Sequence, residues 1–173
     1  ISGYNLEDSV LLASFVKKSG FIKNIDFQII SQPQGGNPKE NWFMDPVFEW
    51  LWPKDKKRVK EIFSQLIEMK IEGYPIENSV EQLESYRNYF LSPKNFAFKG
   101  RKCKMETHYL NINETGEVIL CYDFPSIGNI REQSLKSSWH SYKAFKTREK
   151  IKQCAKNCYL LLNCCFEEYE IRN

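Results

Sequence analysis

The chain has 173 residues, 42% hydrophobic and 14% aromatic, which is enough for one ordinary domain or two small ones and too much for a wholly disordered segment. Its formal charge of +3 comes from 25 basic and 22 acidic residues spread along the sequence, so charge gives no argument for nucleic acid as a partner. Apolar runs such as Tyr159 to Leu162 fall far short of the roughly 20 residues that a membrane-spanning helix needs. The N-terminal stretch carries charges throughout, unlike a secretory leader, so a cytoplasmic location is expected. The sequence begins at Ile1 rather than Met and reads as a fragment.

The first segment, LEDSVLLASFVKKSG, places Leu6, Val10, Ala13, Phe15 and Val16 close to helical spacing. Asn5 is the expected N-cap and Gly20 the expected stop. IDFQII, Ile25 to Ile30, is short, β-rich and apolar on both faces apart from Asp26 and Gln28, the pattern of a buried parallel strand. QPQGGNP then reads as a loop. Gly35 and Gly36 have no helix immediately after them, so they do not make a phosphate cradle. Trp42, Phe43, Phe48, Trp50 and Trp52 suggest that the following loop is pinned by burial.

A strong helix follows WPKD, with Ile62, Phe63, Leu66, Ile67 and Met69 on its apolar face and an end near Gly73. GYPIENS precedes a second helix, SVEQLESYRNYF, with Ser79 as its cap. Alternation of helix and buried strand predicts an α/β layer structure for residues 1–93. Gln28 and Gln32 flank the end of the strand, where barrel enzymes place substrate groups, although polar residues there also satisfy loop backbone.

Composition changes at about Lys94, and residues 94–173 are expected to form a small α+β cysteine-rich domain. HYLNIN and EVILCYDF read as two strands of a β-hairpin joined through Glu114, Thr115 and Gly116. Gly128 and Asn129 read as a turn. One helix is expected from about Glu132 to Lys152, with Leu135, Trp139, Tyr142 and Phe145 inward. His108, in the first of these strands, and His140, on the helix, have no companion at catalytic spacing.

All six cysteines, Cys103, Cys121, Cys154, Cys158, Cys164 and Cys165, lie in this second part. With no secretory leader in view, clustered thiols read better as metal ligands than as a disulfide framework. Seventeen residues separate Cys103 from Cys121, and a hairpin between them can bring both thiols to one end. Cys154 and Cys158 are four apart, which one helical turn or a tight loop puts on one side. Four soft thiolates suit either tetrahedral zinc or a [4Fe–4S] cube, and spacing alone leaves both open.

The stretch CKMETHYLNINETGEVILCYDFPSIGNIREQSLKSSWHS resembles the SPASM/twitch domain of radical SAM enzymes. That family shows a cysteine, about nine to fifteen residues, a glycine, four residues and a second cysteine; here Cys103 is followed by 12 residues, Gly116, four residues and Cys121. Ile127 to Ile130 match its Ile-Gly-Asn-Ile stretch, Ser134, Leu135 and Trp139 its Ser-Leu…Trp helix, and CAKNCYLLLNCC its final cysteine cluster. The resemblance is strong over about Cys103 to Cys158. It extends weakly to residues 1–93, which look like the last βα units of the family's partial barrel.

The resemblance implies a radical SAM enzyme carrying an auxiliary [4Fe–4S] cluster that positions substrate or relays an electron. Cys103, Cys121, Cys154 and Cys158 are its expected ligands, with Cys164 and Cys165 in reserve. Six thiols are too few for two fully cysteine-ligated cubes, so a single cluster, as in the shorter twitch variant, is the economical reading. The substrate class expected from the family is a peptide or a small metabolite. S-Adenosylmethionine would bind only in the full parent, because the catalytic Cys-x3-Cys-x2-Cys motif is absent and no cysteine precedes Cys103. The alternative is a non-enzymatic, cysteine-rich zinc module used for binding.

Overall fold

The computed structural model describes residues 1–32, 41–93, 105–154, 158, 162 and 163. The fold is mixed α/β, with helices and a small three-stranded antiparallel sheet. The chain divides into two compact units. The first takes Ile1–Gln32, Pro38–Ala97 and Asn157–Phe166; the second takes Pro33–Asn37, Phe98–Lys156 and Glu167–Asn173. The expected loop at Gly35 and Gly36 and the expected boundary at Lys94 lie outside the described residues.

In the first unit, α1 runs Asp8–Ser19 and ends at Gly20, whose left-handed conformation stops it as expected. Its N-terminal neighbour is Glu7, with no side-chain cap; the Asn5 carboxamide instead accepts from the Ser2 N–H at 2.8 Å. Ala13 and Val16 are buried, while Phe15, expected inward, is exposed. Residues 25–30 are extended, with Ile25 bridged in parallel to Ile76. Phe27 and Ile29 are buried, and Asp26 and Gln28 between them are exposed. The segment therefore buries one face at period two rather than both.

The aromatic loop contains two single 3-10 turns, Trp42–Met44 and Glu49–Leu51. Burial pins it at Trp42, and Trp52 stacks edge-on with Trp42, Tyr89 and Phe90 at centroid distances of 5.7, 5.3 and 5.1 Å. Trp50 is an exception and points outward. Helix α2, Lys56–Ile71, starts at Asp55, whose carboxylate accepts from the N–H groups of Lys57 and Arg58. Val59, Ile62, Phe63, Leu66 and Met69 form its buried stripe. Helix α3, Val80–Leu91, starts at Ser79, whose hydroxyl accepts from the Gln82 N–H. It packs on α2 through Tyr86 and Phe90 against Phe63.

The second unit opens with α4, Met105–His108. His108 thus ends a helical turn rather than lying in a strand. The sheet has the order β1-β2-β3, from β1 Asn111–Ile112, β2 Glu117–Ile119 and β3 Gly128–Asn129. The β1–β2 turn is closed by Asn113, whose side-chain oxygen accepts from the Thr115 and Glu117 N–H groups at 3.1 and 2.8 Å. Gly116 has φ +87°, the left-handed region that glycine enters without a Cβ penalty. Strand β2 stops at Ile119, short of Phe124, because the chain turns: the Phe124 N–H donates to the Cys121 carbonyl at 3.0 Å.

Gly128 and Asn129, expected as a turn, pair with β2 instead. A Cβ on Gly128 would lie 2.5 Å from the Ser138 hydroxyl, so the glycine of the Ile-Gly-Asn-Ile stretch admits the following helix. That helix is α5, Leu135–Trp139, and it is separate from α6, Tyr142–Lys152. The single helix expected over 132–152 is interrupted at His140 and Ser141. The core of this unit contains Met105, Val118, Leu120, Ile127, Ala144 and Ile151.

Candidate metal centre

Cys121 stands two residues beyond β2, at the end of the central strand, and is 8% exposed. Val118, Ile119 and Leu120 before it are buried as well, and the chain turns just after it, where the Phe124 N–H donates to the Cys121 carbonyl. Cys154 lies two residues beyond the end of α6 and is exposed; its N–H donates to the Ile151 carbonyl at 3.0 Å, extending the last helical turn. Both belong to the second unit.

Cys158 counts with the first unit, where it is half-buried and bridged in parallel to Gln32. Its carbonyl accepts from the Leu162 N–H at 3.0 Å. The Tyr89 hydroxyl belongs to the same surroundings. Burial pushes its pKa up, and the Cys158 side chain adds to the rise as a smaller cause. Gln32 is buried and Gln28 exposed. His140 is exposed at the end of α5. Cys103, Cys164 and Cys165 lie outside the described residues.

Among the described residues no three His, Cys, Asp or Glu side chains converge in the manner of a metal site. That set contains only three of the six thiols. In donor chemistry the cysteines fit an iron–sulfur cluster. They supply soft sulfur, and one of them, Cys121, is held in a buried position at a strand end. Zinc accepts the same donors. Arg148 sits in the charged stretch KTREKIK, and nothing in the sequence marks it out. Asn163 was a polar residue within an apolar, cysteine-bearing tail, and that mismatch was the available clue.

No helix among the described residues is long and apolar enough to cross a membrane. None of the curated proteins and none of the solved structures matches the chain. Residues 103–159 match the family model SPASM, described as an iron-sulfur cluster-binding domain. The matched span contains Cys103, Cys121, Cys154 and Cys158 together with the Ile127 to Ile130 stretch. Over residues 103–159, then, the chain carries a SPASM-type iron–sulfur cluster-binding domain.

Proposed function

We propose that the chain is part of a radical SAM enzyme in which one auxiliary [4Fe–4S] cluster of the twitch type is held by Cys103, Cys121, Cys154 and Cys158, with Cys164 and Cys165 in reserve. The observation that carries this reading is the match over residues 103–159, which encloses all four thiols in the order Cys-x12-Gly-x4-Cys and Cys-x3-Cys. On this reading residues 1–93 are the last βα units of a partial barrel, supported by the parallel bridge between Ile25 and Ile76. A reducing, cytoplasmic setting keeps such thiols available.

Bound there, the cluster supplies a one-electron site whose all-thiolate ligation favours low potential. The chain's own part is to shield and to present. Cys121 withdraws one ligand from water, while exposed Cys154 offers one at the surface. Partial shielding of this kind suits electron relay or the shaping of a substrate site, with a peptide or small metabolite as the substrate class. The radical-forming step belongs to a three-cysteine loop that these residues do not contain.

Anaerobic reconstitution with iron and sulfide tests the reading. The expected product is a brown protein with broad absorbance near roughly 400 nm, holding about four irons and four sulfides per chain. A colourless protein that binds one zinc per chain and no sulfide would instead make this a zinc module.

A further inference from the structure

We propose that Arg148 is a positioning residue for the cluster cysteines of the second unit, an inference that rests on the cluster-binding reading above. Arg148 lies on α6, and its guanidinium ties three helices. Its Nε–H donates to the Glu106 carbonyl of α4 at 2.8 Å, and its Nη1–H donates to the Trp139 carbonyl at the end of α5 at 2.9 Å. Its central carbon lies 4.2 Å from the centroid of the Trp139 ring. Hydrogen bonds from a charged donor are the stronger kind, and the planar fork with its stacked face is something lysine cannot reproduce.

The ends of this clamp lead to thiols. Glu106 follows Cys103 by three residues. Helix α6 ends at Lys152, and Cys154 is fastened to its last turn through the Ile151 carbonyl. One side chain therefore fixes the helix that delivers Cys154 against the helical turn downstream of Cys103.

A second observation separates this from ordinary helix packing. Arg148 Nη2 and Glu106 Oε2 are buried and make no hydrogen bond among the described residues. Buried polar groups in folded proteins are nearly always paired, and an unspent donor on a permanent cation calls for an explanation. A cube ligated by four thiolates is an anion. A fixed positive charge in the same unit favours both its retention and its reduced, more negative state.

The test uses the full chain as wild type, Arg148→Lys and Arg148→Met, each reconstituted anaerobically with iron and sulfide. Three quantities are read: the rate of iron loss to a chelator, the midpoint potential from the spin signal of the reduced cluster, and thermal unfolding of the metal-free protein. Outer-shell partners of a metal site change retention by about 10- to 100-fold. Iron loss about tenfold faster in both variants is therefore expected. The potential should fall in Arg148→Met, which lacks the charge, and stay near wild type in Arg148→Lys, which keeps it. If Arg148→Met fails to fold, retention in Arg148→Lys decides alone. Wild-type retention and wild-type potential in the folded variants overturn the proposal, even where metal-free stability falls, because the clamp is then structural only. A wild type that loads iron and sulfide leaves the cluster reading standing in that case; one that loads none removes the reading and the proposal with it.

Discussion

An extended segment without a full strand on each side leaves backbone N–H and C=O groups to be satisfied, and in the first unit two asparagines supply the partners. Asn78 accepts from the Phe27 N–H at 2.7 Å and donates to the Phe27 carbonyl at 2.9 Å. Asn163 does the same for Ile29, at 2.8 and 2.9 Å. A carboxamide carries donor and acceptor side by side, so it imitates one residue of a neighbouring strand. Both asparagines are buried. Asn78→Ala would strand two buried backbone groups as well as the Gln82 oxygen that now accepts from it, while the exposed Asp26 carboxylate would turn to water. At about 1–3 kcal/mol for each buried group left unpaired, a loss near 3 kcal/mol is expected, measured as a lower denaturant midpoint at unchanged slope. An unchanged midpoint would show that these bonds contribute nothing. Neither asparagine was legible as structural. Asn78 sat in GYPIENS, which was placed only as the stretch before the second helix, and Asn163 sat among cysteines; pairing partners distant in sequence leave no local pattern. The reverse holds for Asp55 and Ser79, whose roles depend on the next two or three residues and which begin helices where their neighbours predict.

At the scale of elements, periodicity was the better guide where one face met one core. The buried stripe of α2 matches its sequence pattern almost residue for residue. It misled over 132–152. Leu135, Trp139, Tyr142 and Phe145 keep helical spacing, yet Tyr142 is 73% and Phe145 55% exposed. The helix breaks between α5 and α6, which resets the phase, so the inward positions of α6 become Ala144, Thr147 and Ile151. The break has a local cause. The Ser141 hydroxyl accepts from the Ala144 N–H at 3.0 Å and donates to the Ser138 carbonyl at 2.8 Å, starting one helix while closing the other. Serine competes with helical hydrogen bonding in this way and favours a helix start over a helix interior. Ser141→Ala should therefore cost about 1 kcal/mol in thermal or denaturant unfolding, the usual loss for an N-cap. Ser137→Ala, at an exposed position of α5, should stay within about 0.5 kcal/mol. Equal effects at the two serines would remove the capping explanation. The same limit applies to residues 25–30, where a run of apolar residues looked buried on both faces and only alternate ones are. Composition showed that the segment was extended and not how many sides of it would be covered.

For the molecule as a whole, the cysteine pattern was legible because a cluster constrains spacing more tightly than a core does. The span from Cys103 through Gly116 to Cys121, with Ile127 to Ile130 after it, marked the SPASM-type region before any fold was in view. The compact unit to which each thiol belongs was not legible. Cys121 and Cys154 fall in the second unit and Cys158 in the first, although Cys154 and Cys158 are four positions apart. That division depends on Cys158 bridging to Gln32 and on Asn163 pairing with Ile29, contacts more than a hundred residues distant in sequence. A serine scan of the cysteines distinguishes ligands from packed thiols. Serine keeps the shape of the side chain and removes the soft sulfur, so iron and sulfide per chain after identical anaerobic reconstitution report ligation more directly than folding. Loss is expected at Cys103, Cys121, Cys154 and Cys158. Cys164 and Cys165 are the reserve thiols of the assignment, so Cys165→Ser should load nearly as the wild type does. Cys121 needs one control because it is buried: unfolding of the metal-free variant separates a lost ligand from a damaged core. If Cys103 or Cys121 proves dispensable while Cys164 and Cys165 are both essential, the four-ligand assignment fails, and the single-cluster, twitch-type reading fails with it.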